Sequence, residues 1–296
     1  MPPRLVQPFK LIAFDWDGTA VVSRREDTVQ LREALERLLR IGVSSIIITG
    51  TTFANIDQQL LATMRGPHKR NLYVSTNRGS EVYGFDAQSR PVLLWQRVAT
   101  REENRLLTDI ADAVREAVVA RTGLQVGVVY DRLNRRKLDL LPLAAWRDAP
   151  KPAIGELWQA VEGRLKAAGP ARGLHEVLTL VERIALEKGL RRARITTDAK
   201  QVEVGLTDKS DAMDWVIREL AQRMNIAPDH ILVAGDEFGP IAGFEGSDYK
   251  MVTLQAKGGV FVSVGPEPGG VPPEVMHLGG GPARFRALLA WQAALR

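Results

Sequence analysis

The stretch Leu11-Ile12-Ala13-Phe14-Asp15-Trp16-Asp17-Gly18-Thr19 decides how this chain reads. Four apolar residues end abruptly in Asp-Trp-Asp-Gly, the pattern of a fully buried strand that runs into a turn bearing two carboxylates. The same pattern recurs downstream. Residues 44–48 form a second buried-strand run ended by Thr49-Gly50, and residues 231–234 a third ended by Gly235-Asp236. An amphipathic helix separates the first two: Thr28 can cap it, Leu31, Leu35, Leu38 and Leu39 form its apolar stripe, and Gly42 suits the position past its end. Residues 53–64 are also helical in pattern. Short buried strands alternating with such helices predict an α/β fold, a Rossmann-like parallel sheet covered on both faces.

The middle of the chain reads differently. Residues 101–121 form a long polar helix, 125–130 and 137–141 two strands joined by a basic turn at 131–136, and 152–168 and 175–188 further helices. Residues 193–197 and 201–206, joined by Asp198-Ala199-Lys200, read as a second hairpin leading back to the first domain. Ser210 can then cap a helix whose stripe includes Met213, Val216, Leu220 and Met224. The expectation is an inserted α+β cap domain at 83–190 within a core built from 1–82 and 191–296, with linkers near 81–84 and 190–194.

At 296 residues the chain is long enough for about two domains. Hydrophobic residues at 45% and charged residues at 25% are an ordinary globular mixture and exclude wholesale disorder. The absence of cysteine excludes disulfides, thiolate metal sites and a cysteine nucleophile, and is compatible with a reducing compartment. A formal charge of +5 mildly favours anionic ligands, but the basic residues lie in short clusters that read as solvated faces, so nucleic acid is not an expected partner. No apolar run approaches a membrane span, and Pro8 and Lys10 interrupt any signal-type segment, so the expected location is the cytoplasm.

Asp15, Thr49, Lys209 and Asp236 each fall at or just beyond the end of a buried element, which is where open α/β sheets bind ligands. Carboxylates crowded together are costly unless a cation sits between them, so Asp15, Asp17 and Asp236 ask for Mg²⁺ with oxygen ligands. A lysine and a hydroxyl then suit a phosphoryl group. Phosphoryl transfer needs an in-line nucleophile, a group that protonates the leaving oxygen, and cations around the equatorial oxygens, and these residue types fill those places. Taken singly, Asp-x-Asp-Gly is equally a calcium-type loop or a surface turn, Thr49-Gly50 a strand exit, and Lys209 a surface residue at a helix start. Their order and common placement favour one crevice, because independent turns need not all fall on one rim. The four histidines, His68, His175, His230 and His277, lack metal-ligand spacing.

Phe14-Asp15-Trp16-Asp17-Gly18-Thr19, Ile48-Thr49-Gly50, Asp208-Lys209 and Gly235-Asp236-Glu237 resemble, in order, the four motifs of the haloacid dehalogenase-like phosphohydrolases. The resemblance implies that Asp15 is a nucleophile forming an aspartyl phosphate and that Asp17 is first acid, then base. It implies further that Thr49 and Gly50 bind the phosphoryl group, that Lys209 balances charge around Asp15, and that Asp15, the Asp17 carbonyl and Asp236 hold Mg²⁺. About 160 residues separate the second and third motifs, room for the large cap of the subgroup that contains sugar phosphatases, phosphomannomutases and mannosyl-phosphoglycerate phosphatases.

Within that middle segment, Arg135-Arg136-Lys137-Leu138-Asp139-Leu140-Leu141-Pro142 is similar to a cap stretch that grips a sugar-linked phosphate or carboxylate, and Asn77-Arg78-Gly79 resembles the subgroup's Asn-Gly-Ala hinge. Arg135, Arg136 and Asn77 are therefore expected substrate contacts, a guanidinium being able to hold phosphate by a bidentate pair. The fourth motif departs from the pattern, with Gly239 and Pro240 where relatives usually carry a second acid. Ser247-Asp248-Tyr249 corresponds to a later Asn-Asp through an insertion, which makes Asp248 a fourth metal-side carboxylate; the competing reading is a surface carboxylate. The expected function is Mg²⁺-dependent phosphomonoester hydrolysis of a small phosphorylated metabolite, a sugar or sugar derivative. A sugar-phosphate mutase and an inactive phospho-ligand binding module are the alternatives.

Overall fold

The computed structural model describes residues 2–146, 153–169 and 171–295. In chain order the first segment gives β1 (Leu11–Asp15), α1 (Val29–Arg40), β2 (Ser44–Ile48), α2 (Phe53–Gln59), β3 (Leu72–Thr76), β4 (Glu81–Phe85) and β5 (Pro91–Gln96). The middle gives α3 (Arg101–Thr122), β6 (Gly127–Val129), β7 (Arg135–Asp139), α4 (Ile154–Ala167), α5 (Leu174–Glu187), β8 (Arg194–Thr197) and β9 (Gln201–Gly205). The last segment gives α6 (Lys209–Trp215), β10 (Ile231–Gly235), β11 (Val260–Ser263), β12 (Val275–His277) and α7 (Gly281–Ala294). Pro152, expected to begin the fourth helix, lies outside the described residues.

Eight strands form the main sheet in the order β12-β11-β10-β1-β2-β3-β4-β5. From β12 to β3 the pairing is parallel, and β4 and β5 extend it antiparallel. Every residue of β1, β2 and β10 is buried, as apolar runs without alternation require of a sheet covered on both sides. α1 and α7 cover one face, where Phe14 and Phe285 stack at 4.9 Å and Leu35, Leu38, Leu288 and Leu289 fill the layer. α6 covers the other with Met213 and Trp215, and the helical turns that follow it add Val216 and Leu220. The register sets Phe14 level with Ile47 and Ala234, so Asp15 ends its strand level with Ile48, and Thr49 and Asp236 follow one residue further along at the same rim. β1 is where the strand order turns both ways, and such a point opens a crevice at the carboxyl ends.

A second sheet, β6-β7-β9-β8, is antiparallel throughout and packs α3, α4 and α5 on one face through Val114, Val118, Leu178 and Val181. The strand pairing shifts the expected division of the chain. β4 pairs with β3, so the chain leaves the main sheet after Gln96, and β9 pairs with β7, so the 194–205 hairpin belongs to the small sheet. Crossing therefore occurs at 97–100 and 206–208. Asn134, in left-handed conformation at φ 60°, ties both crossings together. Its side chain accepts from the Ala99 amide and donates to Arg97 O and Ser80 Oγ, while its carbonyl accepts from the Leu206 amide.

Two caps differ from expectation. Asp208, not Ser210, caps α6, in a capping box with Asp211, because the chain enters this helix one residue before Lys209. Thr28 occupies the position before α1 but gives its hydroxyl to Gln59 O, 2.7 Å away.

Gly79 explains how α6 approaches the main sheet. At φ 80° a Cβ there would stand 2.4 Å from Asp208 O and 3.0 Å from the Ala212 amide. Gly42 has a similar φ of 84° but nothing within 4 Å. Gly42→Ala is expected to cost about 1–2 kcal/mol from the left-handed backbone alone, and Gly79→Ala distinctly more, since it also displaces the start of α6. Paired thermal melts of the two variants measure the difference.

Candidate active site

Three carboxylates and one ammonium converge at the C-terminal rim of the main sheet. Lys209, the first residue of α6, places Nζ 2.5 Å from Asp15 Oδ1 and 2.5 Å from Asp248 Oδ1. Burial opposes its charge, but Asp15 and Asp248 outweigh that and hold the ammonium above the ordinary lysine range. Asp248 is buried, and its Oδ2 accepts the Asp236 and Glu237 amides at 2.8 and 2.9 Å. Burial works against that carboxylate too, and Lys209 with the two amides keeps it below its usual value. The segment after β10 thus folds back and returns Asp248 to the crevice. Gly235 makes the return possible, since a Cβ there would lie 2.4 Å from Asp248 Oδ2.

Asp15, Asp236 and Asp248 each bring a carboxylate oxygen within 4.8 Å of the others. Three hard oxygen anions against the single charge of Lys209 suit a divalent cation such as Mg²⁺. Gly18 keeps room beside the group, because a Cβ there would meet Asp236 Oδ2 at 2.1 Å. Thr19 Oγ1 donates to the other oxygen of Asp236 at 2.9 Å. The Asp17 carboxylate stands outside this trio, partly exposed and 3.7 Å from Arg24 Nε. β1 ends at Asp15, so Asp17 lies in the turn beyond the strand, where strand alternation no longer sets its direction.

Thr49 is fully buried beyond β2, and its Oγ1 accepts the Thr51 amide at 3.1 Å. The turn after β3 lies against it, the Arg78 amide donating to Thr49 O and the Asn77 amide to Thr51 O. Asn77 gives its side-chain amide to Glu81 Oε2 at 2.8 Å. Asn77 and Arg78 are both in left-handed conformation, at φ 51° and 54°.

The small sheet turns a charged face toward this rim. Glu203 on β9 is buried and pairs with Arg78 Nε at 2.6 Å, Lys137 Nζ at 2.8 Å and Arg135 Nε at 3.1 Å. Burial disfavours a charged Glu203, yet these cations, Arg78 first, hold its carboxyl well below the usual range. Arg135 also donates from Nη2 to Gly50 O at 2.5 Å, which brings this sheet into contact with the Thr49-Gly50 turn. Burial pulls Arg135 down to about 10, and its Nη1 has no hydrogen-bond partner among the described residues.

Arg136, expected beside Arg135, is elsewhere. It bonds Thr108 Oγ1 and Asn104 on α3, across the sheet from Glu203. Arg135 and Arg136, expected in a turn, belong to β7, and alternation along a strand sends neighbours to opposite faces. Glu203, Lys137, Arg78 and Ser247 were not among the expected site residues. For Lys137 and Glu203 the available signal was the period of two, which aligns 135, 137 and 203 once the strands are registered, as Lys137 and Glu203 are.

No family model and no curated protein matches the chain. Solved structures do. An IMP-bound, N-terminally truncated IMP-nucleotidase of Plasmodium falciparum aligns over 98% of this chain and 70% of its own, with TM-score 0.63 and 11% identity. The C-terminal domain of Candida albicans trehalose-6-phosphate phosphatase aligns over 99% and 96%, at 0.60 and 14%. The Aspergillus fumigatus trehalose-6-phosphate phosphatase aligns over 98% and 95%, at 0.54 and 15%. The chain has the fold of the capped haloacid dehalogenase-like phosphohydrolases.

Glu203 gives a pH test. Its folded-state pKa is depressed, so the stability it contributes is present above the unfolded value of about 4.3 and is lost only as pH falls through the lower folded value. Glu203→Gln, which leaves buried Arg78 and Arg135 and half-buried Lys137 without their anion, is expected to cost about 3–5 kcal/mol. The difference from wild type in thermal midpoint should be constant from pH 8 to about 5 and shrink below about 4.

Proposed function

We propose that this chain is a Mg²⁺-dependent phosphomonoester hydrolase that works through an aspartyl phosphate on Asp15. The carrying observation is Lys209 bonded at 2.5 Å to both Asp15 and Asp248, with Asp236 in the same buried group at the sheet's switch point. In this reading a carboxylate oxygen of Asp15 bonds phosphorus as the ester P–O bond breaks, and Asp17 gives its proton to the leaving oxygen. Water then attacks phosphorus, loses a proton to Asp17 and frees Asp15 and inorganic phosphate. Lys209 keeps Asp15 ionised and oriented. Thr49 and Gly50 line the phosphoryl position. Asp248, with its oxygens on Lys209 and on two amides, orients the lysine and the turn that presents Asp236. Mg²⁺, held by Asp15, Asp236 and the Asp17 carbonyl, would offset the charge of the transferring group.

The substrate class in this proposal is a phosphorylated sugar or sugar derivative. Arg135 supports it, with a guanidinium that touches Gly50 and whose Nη1 has no hydrogen-bond partner among the described residues. The names of the structural neighbours point the same way, one bound to IMP and the others acting on trehalose 6-phosphate. Among the described residues no helix is long and apolar enough to cross a membrane. The proposal keeps a cytoplasmic setting, compatible with a cysteine-free chain.

A panel of phosphorylated metabolites assayed with and without Mg²⁺ should show metal-dependent phosphate release. Asp15→Asn should abolish it without loss of folding, and Asp17→Asn should lower turnover roughly a hundredfold or more. A wild-type rate in Asp15→Asn rules the aspartyl phosphate out.

The two arginines of β7 should separate. Arg135→Ala is expected to raise KM for the native substrate while sparing a small generic phosphomonoester. Arg136→Ala should leave KM unchanged and lower the thermal midpoint, because its partners are on α3. Steady-state kinetics and melts on both variants distinguish the roles.

A further inference from the structure

Arg78 sits at a backbone conformation that glycine adopts freely and arginine does not, yet its side chain is buried and fully engaged. It reaches three parts of the molecule at once. Nε and Nη2 donate to the two oxygens of Glu203 on β9, at 2.6 and 3.4 Å. Nη1 donates to Ser247 Oγ at 2.8 Å, the residue before Asp248. The aliphatic stem and guanidinium lie against Gly50, where a Cβ would come within 3.6 to 3.9 Å of them. Arg135 makes the reciprocal reach, from the small sheet to Gly50 O, and shares Glu203 Oε2 with Arg78.

We infer that Arg78 is a positioning residue that latches the small-sheet domain onto the core and couples that docking to the segment carrying Asp248. The latch follows from the geometry. Glu203 lies on the small sheet and Arg78 in the turn that joins β3 and β4 of the main sheet, so their bond exists only when the two are docked. A planar guanidinium serves a carboxylate on one edge and a hydroxyl on the other, and a lysine ammonium at the end of a flexible stem cannot hold that fork. Burying such a pair roughly balances desolvation against attraction, so the bond sets geometry and remains reversible, as a domain that admits substrate must be. The backbone strain is tolerated because the arginine's three contacts determine its place together. The activity arm of the test below rests on the phosphohydrolase reading; the distance arm does not.

The chain contains no cysteine, so a pair introduced at exposed Arg40 on α1 and Arg183 on α5 can be labelled uniquely for single-molecule energy transfer. Without ligand, wild type should show a dominant short-distance population. In Arg78→Gly the long-distance population should grow about fivefold. Turnover of a small generic phosphomonoester should fall about tenfold, with the thermal midpoint within a few degrees of wild type, because glycine relieves the backbone and Glu203 keeps Arg135 and Lys137. Ser247→Ala, which removes only the core arm, should lower turnover and leave the distances unchanged. A wild-type distance distribution in Arg78→Gly overturns the latch, and a shifted distribution with wild-type turnover overturns the coupling. If Arg78→Gly fails to fold, Arg78→Lys decides: a smaller shift of the same sign supports the latch, and wild-type distances overturn it. A wild type that hydrolyses no phosphomonoester refutes the proposed function and leaves the distance comparison standing.

Discussion

The ammonium of Lys209 between Asp15 and Asp248 is the contact on which the rest of the site depends. Two buried carboxylates facing one crevice repel each other, and without a cation one would be driven to the neutral form. Lys209 removes that conflict from a position where it must remain charged, held above its usual range by the acids it serves. Its placement needs three segments that are far apart in the chain. β1 delivers Asp15, the capping box at Asp208 starts α6 with Lys209 facing inward, and the loop after β10 brings Asp248 back. Glycines at 79 and 235 make the approaches possible, since a Cβ at either would meet Asp208 O or Asp248.

A second charge cluster mirrors the first at the boundary between the sheets. There one carboxylate, Glu203, serves three cations, so the excess is positive, whereas the core cluster has more carboxylates than ammonium groups. Arg135 touches the Thr49-Gly50 turn from the second sheet, and Arg78 links the two clusters through Glu203 and Ser247. A phosphoryl dianion bound over the turn would meet the cations of one cluster and the metal-suited acids of the other.

The chain's division shows why local pattern misplaced the domain limits. Strand β5, Pro91–Gln96, carries the apolar run Val92-Leu93-Leu94-Trp95, yet Val92, Leu93 and Leu94 are exposed at the edge of the main sheet, and such a run does not say which sheet it joins. The hairpin of β8 and β9 is local and was legible, but which sheet it joins is a matter of long-range pairing with β7. Asn134 ties the two crossings together, and nothing in its neighbourhood in sequence distinguishes it from an ordinary turn residue.

By itself the sequence determined the alternating α/β core, the helix stripe of Leu31, Leu35, Leu38 and Leu39, and the positions of Asp15, Thr49 and Asp236 at or just past strand ends. Each of these rests on a period or on a strand ending, which are properties of short segments. Tertiary structure decided the rest. It returned Asp248 to Lys209 across an irregular loop, separated Arg135 from Arg136 by the two faces of β7, and assembled Arg78, Ser247 and Glu203 from segments with no local tie. The reason is physical. A side chain's charge partners in a buried cluster are set by which strands pair and which loops cross, and those choices minimise unpaired charge over the whole molecule rather than within any stretch of it.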